Sequence, residues 1–447
     1  MESLKWIMGY LKKHILKYSI SLILVLVTSL LSMINPFLAG DIVDKVLNGN
    51  QKNILIPILI AMLVVVIIKG LITYLYQLIF EQVSQDILLK IREDLYAKLL
   101  KLDFDYYNNT KTGDIMARMT GDTDSLRHFI AWVVYNILSN VSVFIFAIIS
   151  MAYVNLPLTL FMISICPIIA ILTVKMGIKI SPTFYNIREA YSRLNSVTQE
   201  NISGNRVVKA FSREDFEIKK FDNENLNYKN RNLDTTNIIG KYMPILEFLS
   251  SFLSIIMILV GGILVINKSM TLGDLVVFNG LIWALNNPMR MAGYLINDTE
   301  RFIASSIKIR ELLNTESSIK DPEAPIKPER IRGDILFDNV SFSYGDTTAL
   351  KNISFEAKRG QTIGIIGPTG SGKSSLVNLI CRFYDATEGE IYIDNIPIKD
   401  LNIKHLRSSI GMAMQDIFLF SDTIEGNIAY GCPSVSLEQI KDIAKLS

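Results

Sequence analysis

The chain contains one run of residues whose types and spacing suit phosphate binding. Residues 367–375 read Gly-Pro-Thr-Gly-Ser-Gly-Lys-Ser-Ser, the apolar stretch Thr362–Ile366 precedes them, and an apolar run with helical character, Ser375–Phe383, continues from them. Glycines let backbone N–H groups turn toward phosphate oxygens, and the N-terminus of the following helix adds partial positive charge. This pattern between a short buried strand and a helix predicts a nucleotide site. Its candidate residues are Gly367, Pro368, Thr369, Gly370, Ser371, Gly372, Lys373, Ser374 and Ser375.

Three side chains of this loop have predicted roles. Lys373 stands where an ammonium group reaches the β- and γ-phosphates of a nucleotide. The Ser374 hydroxyl is a candidate ligand of Mg²⁺, and Ser375 can hydrogen-bond a phosphate. The loop therefore predicts a nucleotide with β- and γ-phosphates, together with Mg²⁺, as cofactors.

The composition places the loop in an unusually apolar chain. Half of the 447 residues are hydrophobic and only 20% are charged, which excludes a disordered, collagen-like or disulfide-scaffold protein. The formal net charge of +2 gives no reason to expect a nucleic-acid partner. Cys166, Cys381 and Cys432 lack metal-ligand spacing.

Long uncharged blocks predict six membrane-spanning helices. Tyr18–Gly40 contains no charged side chain and is long enough, as a helix, to cross the hydrocarbon core of a bilayer. The uncharged run Phe129–Val174 is long enough for two spans, and Asn155-Leu156-Pro157 predicts a tight turn between them. The six predicted spans are 18–40, 54–80, 130–154, 157–178, 245–267 and 275–297.

The distribution of basic residues predicts the orientation of these spans. An even number of crossings places both ends of the chain on one side. Lys and Arg are abundant before the first span and in segments 81–128 and 179–241, whereas the opposite short loops hold only Lys45, Lys52 and Lys268. We therefore expect a multi-pass protein of the plasma membrane with a cytoplasmic N-terminus.

The two long cytoplasmic segments predict helices that continue beyond the bilayer. In 81–101 apolar residues recur at helical spacing, namely Val83, Ile87, Leu88, Ile91, Leu95 and Leu99, and 184–230 has a similar mixed pattern. Several polar residues also interrupt the apolar runs. They either face a substrate path or snorkel toward the interface, and both interpretations stay open for Lys69, Glu247, Asn286, Asn287 and Arg290.

The composition changes after Leu313. Residues 314–332 combine prolines with alternating charges and predict a linker. Beyond it, Ile335–Phe342 and Ser354–Ala357 predict strands. The predicted domains are a transmembrane domain at 1–313, the linker at 314–332, and part of a nucleotide-binding domain at 333–447.

Together these features resemble the exporter class of ATP-binding cassette (ABC) transporters in its half-transporter form. The resemblance covers essentially the whole chain. Segments 106–118 and 199–211 are similar to two cytoplasmic loops that in the family carry short coupling helices, which dock on nucleotide domains. The resemblance implies a membrane all-α six-helix domain followed by an incomplete P-loop NTPase α/β domain.

The resemblance also implies roles for two residues outside the loop. Tyr344, in Phe342-Ser343-Tyr344, falls where the family places an aromatic ring that stacks on adenine. Gln415, in Met414-Gln415-Asp416, resembles the family's Q-loop glutamine, which contacts Mg²⁺ or the attacking water. The implied catalytic and metal-contacting residue is therefore Gln415, with Ser374 as the other metal contact.

Three further elements expected from the resemblance do not occur before Ser447. These are a Leu-Ser-Gly-Gly-Gln-like signature, an apolar strand ending in Asp-Glu (the Walker B site), and a switch histidine. The run 391–394 superficially resembles that strand, but it precedes Gln415, lacks a following Glu and fits a hairpin strand better. We therefore expect a truncated record of a longer transporter, which as written binds nucleotide without hydrolysing it.

The expected function of the longer transporter is ATP-driven export of a hydrophobic or amphipathic drug, lipid or peptide. The resemblance implies a dimer of half transporters, and the choice between homodimer and heterodimer stays open. Two other functions are weighed against it. One is a non-transporting membrane protein with a nucleotide-binding regulatory module, and the other is a nucleotide-gated channel.

Overall fold

The computed structural model describes residues 2–415, 418–432 and 434–446. The chain separates into two compact units. The first comprises residues 1–100 and 111–315 and is helical, and the second comprises residues 101–110 and 316–447 and contains a small antiparallel sheet. A helical domain followed by a smaller domain with a sheet confirms the predicted fold class. The boundaries 1–313, 314–332 and 333–447 stay predictions.

Seventeen α-helices occur in the described residues, and several are far longer than those of soluble domains. In chain order they are α1 (Glu2–Leu11), α2 (Ile15–Leu31), α3 (Ile34–Asp41), α4 (Leu55–Leu99), α5 (Phe104–Asn109), α6 (Thr112–Ala117), α7 (Thr123–His128), α8 (Val134–Val154), α9 (Leu156–Ile163), α10 (Cys166–Ser203), α11 (Asn205–Ala210), α12 (Glu214–Ile266), α13 (Leu272–Asn314), α14 (Lys373–Ile380), α15 (Ile403–Ser408), α16 (Ile424–Ile428) and α17 (Leu437–Leu446). Short π-helical segments continue α3 and join α6, α7 and α8.

Five helical stretches of the described residues are long and apolar enough to cross a membrane. They are Glu2–Asn48, Lys52–Leu99, Thr112–Val154, Leu156–Ser203 and Glu214–Ile266. Helix α13 has a similar length but is less apolar, because Asp274 and three asparagines, Asn279, Asn286 and Asn287, dilute its hydrophobic residues. The crossing expected at 275–297 therefore stays a prediction.

The predicted turn at Asn155 is confirmed. Helix α8 ends at Val154, and Asn155 adopts an extended backbone with φ −153°. The Asn155 side-chain oxygen then accepts a hydrogen bond from the N–H of Leu158 at 3.0 Å, which caps α9. A single non-helical residue thus separates the two helices.

The apolar residues at helical spacing in 81–101 are also confirmed as a buried face. Val83, Ile87, Ile91 and Leu95 are each at most 2% exposed on α4. Helices α10 and α12 likewise run through 184–203 and 214–230 without a break.

Helices α3 and α13 approach each other through glycines. A Cβ atom added to Gly40 would lie 2.7 Å from Val277 Cγ2 and 2.8 Å from the carbonyl oxygen of Gly273. A Cβ atom on Gly273 would collide with the carbonyl oxygen of Gly40 and with the Asp44 carboxylate. The same carboxylate accepts a hydrogen bond from the Gly273 N–H at 2.8 Å. Side chains larger than hydrogen therefore do not fit at this crossing.

The second unit is built on a four-stranded antiparallel sheet. Its strands are β1 (Ile335–Tyr344), β2 (Thr347–Ala357), β3 (Glu388–Ile393) and β4 (Ile396–Pro397), in the spatial order β2-β1-β3-β4. The two predicted strands are confirmed, and each is longer than expected. Phe337, Val340, Leu379 and Leu406 are fully buried between the sheet and helices α14 and α15.

The interpretation of 391–394 as part of a hairpin is confirmed. Strands β3 and β4 are joined by Asp394 and Asn395, both with positive φ, as a tight hairpin turn requires. The Asp394 carboxylate accepts hydrogen bonds from three consecutive N–H groups, those of Arg332, Gly333 and Asp334, at 2.6 to 3.0 Å. Asp394 therefore holds the start of the domain against this turn.

The prediction of a buried strand at Thr362–Ile366 is wrong. The segment is irregular, and Ile363, Ile365 and Ile366 are 44%, 42% and 99% exposed. A buried strand needs hydrogen-bonding neighbours along both edges, and the four strands of the described residues pair only with each other. The apolar composition of the segment is therefore not sufficient for a strand.

The glycine crossing predicts unequal effects of two alanine substitutions on the same helix. Gly273→Ala should destabilise the helical unit by about 1–3 kcal/mol, because its new methyl group has no space. Gly293→Ala is the matched control, because nothing lies within 4 Å of its Cβ position on α13. Thermal unfolding of the detergent-solubilised protein, followed by tryptophan fluorescence, measures the difference. Equal midpoints for the two variants would contradict the close approach.

Candidate functional site

The phosphate loop has the backbone that its glycines predict. Gly370 and Gly372 have φ values of +85° and +88°, in the left-handed region that favours glycine. A Cβ atom at Gly372 would lie 2.6 Å from the carbonyl oxygen of Ala349 and 2.8 Å from Leu350 Cδ2. At Gly367 it would lie 2.5 Å from Ser371 Oγ. The loop is therefore a tight turn whose backbone favours glycine at Gly370 and Gly372, whereas at Gly367 the Ser371 hydroxyl would have to move.

Lys373 lies across this loop. Its ammonium group donates hydrogen bonds to the carbonyl oxygens of Gly367 and Pro368, both at 2.8 Å. Helix α14 begins at Lys373, so its first backbone N–H groups lie next to the loop. Ser374 follows in the first turn and is exposed. A cationic side chain, a glycine-lined turn and a helix N-terminus fit a polyphosphate.

The structure joins Tyr344 to this loop. Tyr344 is the last residue of β1, and its hydroxyl donates a hydrogen bond to Ser375 Oγ at 3.2 Å. Ser375 is buried, whereas Tyr344 is 38% exposed. Two residues that are 31 positions apart and were assigned separately to nucleotide binding are therefore neighbours.

Gln415 lies in an irregular, exposed segment. This segment passes the end of α14, where Cys381 Sγ lies 3.9 Å from Met412 Sδ. Among the described residues no hydrogen bond joins Gln415 to the phosphate loop, and Asp416 of the same motif lies outside those residues. The role of Gln415 in contacting Mg²⁺ or the attacking water therefore stays a prediction.

The residues that follow this motif form a local turn. Asn427 receives a hydrogen bond from the N–H of Phe420 at 2.8 Å and donates one to the carbonyl oxygen of Phe420 at 3.1 Å. Thr423 caps α16 by accepting a hydrogen bond from the N–H of Gly426. Helix α16 and the residues before it are therefore held together by local hydrogen bonds.

Short helices occur in both segments that resemble cytoplasmic loops, namely α5 and α6 in the first and α11 in the second. Helix α5 belongs to the same compact unit as the sheet. Its Phe104 ring lies 4.7 Å from that of Phe383, and the Asn108 side-chain amide donates a hydrogen bond to the Tyr384 hydroxyl at 2.7 Å. Tyr384 also lies 5.2 Å, ring to ring, from Tyr344.

Asp103 fixes the beginning of α5. Its carboxylate accepts hydrogen bonds from the Tyr106 N–H at 3.2 Å and from the hydroxyls of Ser317 and Ser318 at 3.0 and 2.8 Å. Partial burial raises the pKa of Asp103, but these hydrogen bonds together outweigh it and hold the pKa below its usual value. Asp103 is therefore ionised at neutral pH and connects α5 to the segment after α13.

Sequence reasoning missed Tyr384, Asn108 and Asp103. The signal available for Tyr384 was an aromatic pair, Phe383-Tyr384, directly after the helix of the phosphate loop. Nothing in the sequence pairs these aromatic residues with α5.

Comparison with known proteins connects both parts of the chain to a family. Residues 18–289 match the family model described as the ABC transporter transmembrane region. Residues 350–446 match the family model described as ABC transporter, and this match includes the whole phosphate loop.

Relatives match along nearly the whole chain. An uncharacterised ABC transporter ATP-binding protein of Bacillus subtilis, YknU, is 35% identical over 447 residues, which cover 100% of this chain and 76% of the relative. An ATP-dependent lipid A-core flippase of Desulfotalea psychrophila is 30% identical, with coverage of 99% and 78%. A multidrug resistance-like ATP-binding protein of Escherichia coli, MdlA, is 29% identical, with coverage of 98% and 75%. The chain is therefore a member of the ABC transporter family that carries the transmembrane region and the ATP-binding domain of that family in one polypeptide.

Proposed function

We propose that this protein is one half of a dimeric exporter that uses ATP to move a hydrophobic or amphipathic drug, lipid or peptide across the plasma membrane. The observation that carries the proposal is the glycine-lined phosphate loop crossed by Lys373, in the same chain as five helices able to span a membrane. The names of the relatives support this cargo class, because one is a lipid flippase and another is multidrug resistance-like.

The proposed site assigns distinct tasks to the residues of the loop. Lys373 would bind the β- and γ-phosphates of ATP, and backbone N–H groups from Gly367 to Ser374 would surround the phosphates. Among the described residues no cluster of acidic, His or Cys side chains could hold a metal. In the proposed site Mg²⁺ would be held by the Ser374 hydroxyl together with phosphate oxygens and Gln415.

Tyr344 would stack on the adenine ring. This role is supported by the partly exposed Tyr344 ring at the end of β1 and by its hydrogen bond to Ser375. Bound ATP supplies a polyanion whose binding can favour one arrangement of the nucleotide domains over another. The proposed exporter would use this binding energy to change the arrangement of its membrane helices.

Removal of the Lys373 charge tests the nucleotide site. Lys373→Ala should weaken ATP binding by about 10- to 100-fold, because a charge-assisted hydrogen bond contributes roughly 1.5–3 kcal/mol. Lys404→Ala is the control, because this exposed lysine lies on α15 outside the loop. Titration with a fluorescent ATP analogue in the presence of Mg²⁺ measures both. Wild-type affinity in the Lys373→Ala variant would contradict the assignment of the loop.

Export itself is tested with inverted membrane vesicles from cells that express the gene encoding this chain. ATP should drive uptake of an amphipathic fluorescent dye or lipid, and Lys373→Ala should abolish it. If vesicles with the wild-type chain bind ATP but take up none of the tested cargo, the result would instead favour the non-transporting regulatory alternative.

The proposed topology has a cytoplasmic N-terminus and a cytoplasmic nucleotide-binding domain. It requires that α13 crosses the membrane as the sixth span. If α13 crosses the membrane, Ser269 before it and Asn314 at its end lie on opposite sides. In a background where the exposed Cys432 is replaced by serine, Ser269→Cys should react with a membrane-impermeant maleimide in intact cells. Asn314→Cys should react only after permeabilisation, as should the cytoplasmic control Ser203→Cys. Labelling of Asn314→Cys from outside would contradict the sixth crossing.

A further inference from the structure

Three lysines and a tyrosine lie together on helices α10 and α12. The Lys179 ammonium group lies over the ring of Tyr242, 5.4 Å from its centroid. Lys175, one turn before Lys179 on α10, and Lys241, next to Tyr242 on α12, are also close enough for their charges to act on the Tyr242 hydroxyl. All three lysines are exposed, and Tyr242 is half-buried. These four residues are called the lysine–tyrosine patch below.

The two helices that carry the patch run antiparallel. The Tyr191 ring of α10 lies 5.6 Å from the Tyr228 ring of α12, and the next contact along the pair is that of Lys179 with Tyr242. Residue numbers therefore fall on α10 while they rise on α12. Continuing in this direction leads on α10 into the predicted fourth span and on α12 into the predicted fifth span. The patch thus lies where both helices enter the membrane, at the end that the basic residues predict to be cytoplasmic.

Exposed apolar residues continue from the patch along the same helix faces. On α10, Ile171 and Val174 precede the two lysines and are 56% and 52% exposed. On α12, Lys241 is followed at helical spacing by Ile245 and Phe248, which are 44% and 63% exposed. A molecule bound at this surface would therefore meet cations at one end and apolar side chains at the other.

The positive charge of the patch is not neutralised by the part of the chain that the structure describes. Within that part, no carboxylate forms an ion pair with any of the three lysines. Farther along α10, by contrast, Arg193 pairs with Glu189 at 2.6 Å. Glu247 is the acidic residue of α12 nearest in sequence to Lys241, but it lies six positions later and thus on a different face of the helix. The patch is therefore suited to an anion from outside the chain.

We propose that the lysine–tyrosine patch binds the headgroup of an anionic phospholipid, whose acyl chains lie along the exposed apolar residues of α10 and α12. Basic residues at the cytoplasmic ends of membrane helices attract anionic lipids, and basic pockets between such helices bind their headgroups. The ammonium groups and the Tyr242 hydroxyl would donate hydrogen bonds to the phosphate oxygens. A soluble phosphate would use only the polar part of this surface, so the adjoining apolar residues favour a lipid. The choice of leaflet rests on the proposed topology, whereas the binding itself requires neither ATP nor transport.

The test counts the phosphatidylglycerol molecules bound to the purified full chain in detergent, by native mass spectrometry. Phosphatidylcholine with the same acyl chains is the probe without net charge. Lys179→Gln should weaken binding of phosphatidylglycerol by about fivefold, and the double variant Lys179→Gln with Lys241→Gln by about 25-fold, because each lysine near a membrane surface contributes a factor of about five. The affinity for phosphatidylcholine should change by less than about twofold, because its headgroup has no net charge.

Two further variants separate this site from general charge attraction and from a loss of folding. Lys229→Gln removes the same charge from an exposed position of α12, about three turns before the patch, and should leave the affinity for phosphatidylglycerol within about twofold of the wild type. Lys179→Arg keeps the charge at the patch and should retain most of the binding. Recovery of binding in Lys179→Arg would show that the lost charge, and not a disturbed fold, explains the effect of Lys179→Gln.

Three outcomes decide the proposal. Weaker phosphatidylglycerol binding in the patch variants, with Lys229→Gln and phosphatidylcholine binding unchanged, supports it. An equal loss in Lys229→Gln, or equal affinity of the wild type for the two lipids, overturns it. Displacement of phosphatidylglycerol by inorganic phosphate at constant ionic strength would indicate a site for a soluble phosphate and also overturns it. None of these measurements uses ATP, so the proposed function is tested separately.

Discussion

A helix in hydrocarbon must satisfy its own polar groups, because lipid offers no hydrogen-bonding partner. The buried hydroxyls of the helical unit follow this constraint. Ser29 donates to the carbonyl oxygen of Val25 at 2.9 Å, Thr28 donates to the same oxygen at 2.8 Å, and Ser142 donates to Ser29 at 2.8 Å across to another helix. The long helices, the capped one-residue turn at Asn155 and the glycine crossing of α3 with α13 all keep polar backbone groups paired.

In the proposed function, the second unit meets a different constraint, which is to hold a polyanion on an exposed loop. The loop is exposed, and its shape comes from glycine backbone conformations and from the α14 that follows. At the other end of α14 the buried Arg382 donates to the carbonyl oxygen of Lys399 and fixes the chain there.

Residues 101–110 are held by contacts with residues far along the chain. They are flanked in the chain by helices of the helical unit, yet they pack with the sheet-containing unit. Asp103 and Asn108 hold the two ends of α5 by hydrogen bonds, and Phe104 adds an aromatic contact. These are directional contacts, so small changes in their partners alter the position of α5 more than a smooth apolar contact would.

Features that are encoded by consecutive residues could be predicted before the fold was known. The phosphate loop depends on glycines and a lysine within nine positions, the buried face of α4 on a helical period, and the turn at Asn155 on a cap followed by proline. Local backbone preference and hydrophobic periodicity act over a few residues, so these features are visible without the fold.

The contacts between residues far apart in the chain became visible only in the folded structure. Thr362–Ile366 has the composition of a strand, but strands form by pairing, and the described residues provide no partner for it. Asn108 and Tyr384 are separated by 276 positions, and no periodicity relates them. Side-chain pairing across the chain depends on how whole elements pack, and this packing is the property that a local pattern of residue types does not contain.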